Sequence, residues 1–426
     1  MKKVSLFRCF SRGFSSAVSD IGDVSRFHRG RDSPEYSRLL TKAVQSGEAG
    51  GRVNLLDCLT TPIAQTATHT FSNSQHVIDH AKLGQYEGVF TNPTISVLED
   101  KLACMENGED CLFSASGMNA CTTMLMALLP RGGHLITTKD CYRRTRQFVA
   151  EFLHRMDITF TVVDLDDTPV EQIKKLIRDE KPQLFFSESP TNPYLRCIDI
   201  RAISSACKEV GTLLCVDSTF ATPINQRPLE LGADLVLHSA TKYLAGHNDV
   251  LCGALVGKRL HIEPVRQLHN MLGGFIDPHA AYLALRGMKT LGVRVKQQND
   301  TALAIAQFMV AQPQIERVWY PGLPTHPDYH IARKQMQGYG GVLSFVVKGG
   351  LHAASRFIDS VKIPYIAPSL GGVESLIEQP TIISYWDKTP QERAAVGILD
   401  GLVRFSCGVE HADDLMADFQ QALSRV

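Results

Sequence analysis

Tyr142, Asp217 and Lys242 carry three functional groups that stand at or just past the ends of apolar runs. Tyr142 lies in TTKDCYRRT, Asp217 in CVDSTF and Lys242 in DLVLHSATKYLAGHNDV. A lysine amine on a rigid element can bond covalently to an aldehyde. A carboxylate can hold a pyridine nitrogen protonated, so that the ring draws electrons. An aromatic side chain can stack on the face of that ring. Taken singly, each residue has a commoner explanation. A strand-terminal Asp caps a turn or helix, a lysine after a strand is solvated, and a tyrosine is half-buried packing.

The three gain meaning beside a phosphate cradle. In SASGMNACTTMLMALLP, Ser116, Gly117 and Met118 come immediately before an apolar helical pattern. The free N–H groups of a helix N-terminus bind phosphate, and a glycine there permits close approach. Ser239 and Thr241, on either side of Ala240 and just before Lys242, offer hydroxyl donors to the same group. Amine, carboxylate, aromatic ring and cradle together meet the needs of pyridoxal 5'-phosphate.

The elements that must position these groups are legible in the apolar pattern. HLITT, ITFTVVD, PQLFFSES, TLLCVDSTF, ADLVLHS and CGALVG read as near-continuously apolar strands, with helix-length segments such as PVEQIKKLIRDE and ISSACKEVG between them. Strands without alternation, separated by helices, indicate a mainly parallel sheet covered on both faces. The expectation is an α/β fold in which the site collects beyond the carboxyl ends of the strands. From about residue 290 the pattern changes. TALAIAQFMVAQP reads as a helix, and GVLSFVVKGG and GLVRFSCGVE read as more strongly alternating strands. This predicts a cofactor-binding domain over 101–290 after an N-terminal arm at 51–100, and a smaller α+β domain over 291–426.

Bulk composition excludes several classes. The 426 residues hold 44 Lys+Arg and 44 Asp+Glu, so zero formal charge provides no long-range field for nucleic acid or an anionic membrane. No apolar run approaches the ~18 residues that span a bilayer. The 11 cysteines are scattered without a C-x-x-C pair, which argues against a structural zinc site, any metal cluster or a disulfide framework. The first 20 residues carry Lys2, Lys3, Arg8 and Arg12 and no acid before Asp20. That composition fits an organellar transit peptide within residues 1–50, for chloroplast or mitochondrion; the alternative is a basic tail on a cytoplasmic protein.

From about Leu59 to the C-terminus, SGMNA, DCYRRT, ESPTNPYLRCIDI, VDSTFATP, HSATKYLAGHNDV, LRGMKTL and SLGGVESL resemble the Cys/Met-metabolism family of pyridoxal-phosphate enzymes. The resemblance implies a type I transferase fold and a homotetramer built as a dimer of dimers. It implies that Lys242 bonds the cofactor, Asp217 pairs with the ring nitrogen, Tyr142 stacks on the ring, and Gly117, Met118, Ser239 and Thr241 hold the phosphate. It also places Asn192 and Ser369 at the substrate and makes Arg404 the clamp on its α-carboxylate. Asn192 before Pro193 could equally be a turn former, and Ser369 a turn cap before Gly371. Arg404 interrupts an apolar strand, where an unpaired charge is costly.

Within the family, HNDVLCG, PYIAPSLGG and EQPTIISYWD look most like the plant-type cystathionine γ-synthases; the γ-lyases have Thr-His where Ser384-Tyr385-Trp386 stands. That branch implies γ-replacement for methionine biosynthesis by transsulfuration, with an activated homoserine ester (phosphorylated, succinylated or acetylated) and cysteine as substrates. A γ-lyase and a weakly active paralogue are the alternatives. One departure bears on the last. The family has Tyr-x-Arg before Asn-Pro-Thr, reaching the partner subunit's phosphate; here Glu87 and Val89 occupy those positions, with Tyr86 one residue earlier.

Overall fold

The computed structural model describes residues 38–48, 58–68, 70–82 and 92–426. Seven strands form the larger sheet: β1 (Asp110–Ser114), β2 (His134–Thr138), β3 (Thr159–Val163), β4 (Leu184–Glu188), β5 (Leu213–Asp217), β6 (Leu235–His238) and β7 (Gly253–Gly257). Their order is β1-β7-β6-β5-β4-β2-β3. Strands β3, β2, β4, β5 and β6 run parallel, while β7 is antiparallel to both β6 and β1.

The apolar runs form strands because both sheet faces are covered. Leu135, Leu184, Phe186, Leu235 and Leu255 meet Met124 and Leu125 of the helix Gly117–Leu128 on one face. Ile136, Phe185, Leu214 and Val216 meet the helices Val170–Glu180 and Ile200–Val210 on the other. Every residue of β4, β6 and β7 is buried. Two details differ from the sequence reading. Strand β3 lies at the sheet edge, so Phe160 and Val162 are exposed rather than covered. Strand β1, DCLFS, opens with an acid and is too short to stand out as an apolar run; it is a strand because β7 pairs with it.

Five strands form the second sheet: β8 (Ile315–Trp319), β9 (Val342–Val347), β10 (Tyr365–Ile366), β11 (Leu376–Glu378) and β12 (Leu402–Ser406), in the order β10-β11-β12-β9-β8. The helices Leu291–Val310, Gly350–Ser360 and Ala412–Leu423 cover one face over Leu343, Phe345, Val403 and Phe405. The alternation expected of β9 and β12 does not translate into an exposed face, because every residue of both is buried. Their polar positions, Ser344 and Arg404, are direct partners on one face and turn toward the segment after β4. There Ser344 donates to the Pro193 carbonyl at 2.7 Å. The helix expected to begin at Thr301 starts ten residues earlier, at Leu291. No helix among the described residues is long and apolar enough to cross a membrane.

Candidate active site

The parallel strands β4, β5 and β6 end together, and the site is built on those ends. Asp217 is the last residue of β5, level with Glu188 at the end of β4. Asp217 Oδ1 accepts from both the amide (3.0 Å) and the hydroxyl (2.5 Å) of Thr219. The same Thr219 oxygen accepts the Ser239 N–H at 2.8 Å. One threonine therefore ties the Asp217 end of the site to the start of the turn that carries Lys242. Sequence reasoning missed Thr219. Its signal was local: a Thr two residues after a strand-terminal Asp is placed to bond back to it.

Burial raises the Asp217 pKa, against the Thr219 bonds and the positive influence of His238. A carboxylate in that condition wants a cation, and neither Thr219 bond uses Oδ2. A protonated ring nitrogen supplies one. Glu188 is likewise pushed well above the ordinary carboxylate range, by burial first and by Asp217 second. It accepts the Tyr142 main-chain N–H at 2.5 Å. That bond ties Tyr142 to the end of β4, with its side chain about half exposed (48%) at the head of the helix Arg143–Glu151.

The phosphate end is equally built. Ser116 caps the helix Gly117–Leu128, its hydroxyl accepting the Asn119 N–H at 3.1 Å. The Gly117 and Met118 N–H groups belong to the first turn, which has no intrahelical acceptors for them. A Cβ on Gly117 would come within 2.9 Å of Ser239 Oγ, so only glycine lets this helix end and the Lys242 turn approach so closely. Met118 turns its sulfur toward the Thr145 hydroxyl, 3.7 Å away. Thr241 is engaged elsewhere: its hydroxyl donates to the Cys252 carbonyl (3.1 Å) and accepts the Cys252 N–H (2.9 Å). It is the cradle residue that would have to exchange a protein partner for phosphate.

Lys242 Nζ donates to Ser369 Oγ at 2.7 Å. The Ser369 carbonyl accepts from Arg404 Nη2 at 3.0 Å, and Arg404 Nη1 donates to Asn192 Oδ1 at 3.2 Å. Lys242, Ser369, Arg404 and Asn192 thus form one continuous chain joining both sheets. Burial and the Arg404 charge lower the Lys242 pKa to about 8, and Glu378 pulls the other way. Glu378, also missed in the sequence, pairs with Arg404 Nη2 at 2.9 Å. Ser384, Tyr385 and Asp387 meet the helix that follows Tyr142: Arg143 bonds the Ser384 carbonyl (2.7 Å) and Asp387 (2.9 Å), and Arg146 donates to the Tyr385 hydroxyl (2.6 Å). Tyr86, Glu87 and Val89 lie outside the described residues.

A buried acid in want of a cation, a lysine with a lowered pKa and a glycine-lined helix end fit pyridoxal phosphate. The chain belongs to the Cys/Met metabolism PLP-dependent enzyme family, whose model matches residues 40–424. It is 52% identical to the chloroplastic cystathionine γ-synthase 1 of Nicotiana tabacum, over 92% of this chain and 74% of that protein. It is 40% identical to the L-methionine γ-lyase of Treponema denticola, over 89% and 95%. Among solved structures it resembles the cystathionine γ-synthase of Xanthomonas oryzae pv. oryzae, in complex with aminoacrylate and cysteine, with a TM-score of 0.82 and 35% identity over 92% and 98% of the two chains.

Proposed function

We propose that this enzyme is a cystathionine γ-synthase, which replaces the γ-ester of an activated homoserine with the thiol of cysteine to give cystathionine. The observation that carries this reading is the 52% identity to a synthase against 40% to a lyase, over nearly the whole chain in both cases. When bound, pyridoxal phosphate supplies an electron-withdrawing ring that stabilises negative charge on the substrate carbons.

The chain's own residues do the rest. Lys242 would hold the cofactor and, when free, would move protons at the substrate Cα and Cβ; its low pKa suits it to act as a base near neutral pH. Ser369 holds the lysine amine on one side of the site. Asp217 keeps the ring nitrogen charged. Tyr142 would stack on the ring. Gly117 and Met118 offer backbone N–H groups to the phosphate, with hydroxyls from Ser239 and, after it leaves Cys252, Thr241. Arg404 fixes the α-carboxylate and Asn192 steadies Arg404. The γ-ester leaves with its electron pair, and the cysteine sulfur bonds the carbon it vacated while its proton passes to a base.

The choice among phosphoryl, succinyl and acetyl esters is part of the proposal, with the phosphoryl ester favoured by the likeness to plant enzymes. Product analysis of purified holoenzyme with each ester tests it. Cystathionine formed only when cysteine is added supports the synthase; thiol-independent 2-oxobutyrate as the main product overturns it in favour of a γ-lyase. Two further readings go with this one. Assembly as a dimer of dimers is what the family resemblance implies; the exposed Met271, Leu272 and Phe275, on either side of Gly273 and Gly274, support a subunit contact near the cradle loop, whose Ala115 N–H the Gly274 carbonyl accepts. Delivery to chloroplasts is supported by the basic N-terminal composition and by the chloroplastic tobacco relative. A fluorescent protein carrying residues 1–50 that stays in the cytosol would count against it.

A further inference from the structure

Arg404 already has a carboxylate partner before any substrate arrives. Strands β11 and β12 are antiparallel neighbours in which Glu378 stands directly opposite Arg404, so their side chains share a face. Glu378 Oε1 lies 2.9 Å from Arg404 Nη2, with the two side chains only 4% and 6% exposed. Glu378 Oε2 is buried and has no hydrogen-bond partner among the described residues. A buried acceptor left so is costly, and an ionised one more so.

The surroundings explain why it is tolerated. Two cations act on Glu378, Arg404 from β12 and Lys242 from the turn after β6. On the far side of Arg404, β9 contributes only the uncharged Ser344, and β10, the other neighbour of β11, contributes Tyr365 and Ile366. Burial outweighs both cations and holds the Glu378 pKa above the ordinary carboxylate value.

We propose that Glu378 is the resting counter-charge of Arg404, a positioning residue that competes with the substrate α-carboxylate and so sets how tightly amino-acid substrates are held. The inference rests on the proposed role of Arg404 as the carboxylate clamp. An ionised Glu378 keeps Arg404 aimed, yet it places a second negative charge beside any incoming carboxylate. Protonation of Glu378 removes that repulsion and leaves the guanidinium to the substrate.

The test compares glycine with methylamine, which differ by one carboxylate, through the change each makes in the absorbance of the pyridoxal-phosphate-loaded protein. The ratio of their affinities reports what the carboxylate contributes, and below the pKa of both amines their own protonation cancels from its pH dependence. In the wild-type protein the ratio rises as pH falls through the raised Glu378 pKa. Glu378→Gln, which keeps an acceptor for Nη2, raises the ratio by about tenfold, since like charges at close range are strongly disfavoured, and makes it independent of pH. Glu378→Asp keeps the pH dependence. A wild-type ratio that does not change with pH overturns the proposal without recourse to any variant, and so does a Glu378→Gln ratio equal to or below that of the wild type. Arg404→Ala separates the two readings. If it leaves the ratio unchanged, the clamp assignment itself has failed; if it abolishes the glycine preference while Glu378→Gln does nothing, only the role of Glu378 is lost.

Discussion

Lys242 sits where its environment lowers the pKa of its amine. Its amine donates to Ser369, while burial and the Arg404 guanidinium bring its pKa to about 8 against the pull of Glu378. An ordinary lysine titrates near 10.4. In cofactor-free protein an amine-directed acylating reagent should therefore label Lys242 with a midpoint near pH 8. The sign follows from the neutral form being the reactive one: above that midpoint Lys242 reacts while surface lysines remain protonated. Peptide mapping of labelled protein across pH checks this, and a midpoint no lower than that of the surface lysines contradicts it. Lys242→Ala should lose the visible absorbance that the covalently held cofactor confers and at least a thousandfold in turnover, as expected when a nucleophile that is also the base is removed. The placement of these residues was largely legible in the sequence, because Asp217 ends an apolar run and Lys242 lies just past one, and a strand end is a defined place. Thr219 and Glu188 were not, since a threonine and a glutamate near strand ends have many commoner uses.

At the scale of elements, the helix Gly117–Leu128 does two jobs: its apolar side packs on the sheet and its first turn faces the site. Ser116 serves both, since its cap bond to Asn119 holds that turn in shape. Ser116→Ala should cost about 1 kcal/mol of stability and speed cofactor loss on dialysis, measured by denaturant titration and by retained absorbance. A stability loss with unaltered cofactor retention would show that the cap supports the fold alone. The second sheet shows the limit of pattern reading. Strands β9 and β12 carry isolated polar residues, Ser344 in one and Arg404 and Ser406 in the other, yet both faces are covered. Ser344 and Arg404 instead mark the side that meets the loop after β4.

At the scale of the whole molecule, the loop after β4 joins the two sheets. Arg196 on that loop makes a two-pronged pair with Asp328, at 2.6 and 3.1 Å, and a third bond to Asp328 comes from the Cys197 N–H at 2.9 Å. The pair is nearly buried; Arg196 also pairs with Asp166 and donates to the Leu165 carbonyl at 3.0 Å, so it keeps part of its compensation when Asp328 is removed. Asp328→Ala should lower stability by about 1.5–3 kcal/mol, seen as a lower unfolding midpoint. Because Asn192 lies four residues before Arg196, it should also weaken amino-acid binding. A variant with normal stability and normal binding would mean the loop is held by other contacts.

The sequence alone determined where the parallel strands β2 to β6 and their neighbour β7 lie, which helix begins at the glycine after Ser116, and that Asp217 and Lys242 stand at or just past strand ends. Those features are local: a strand covered on both faces must be apolar throughout, so its polar ends stand out. The tertiary structure alone decided that Ser369 meets Lys242 across 127 positions, that Arg404 meets Asn192 across 212, and that Glu378 is the residue opposite Arg404. Such meetings depend on strand order and on how two sheets pack, and neither leaves a periodic mark on the chain.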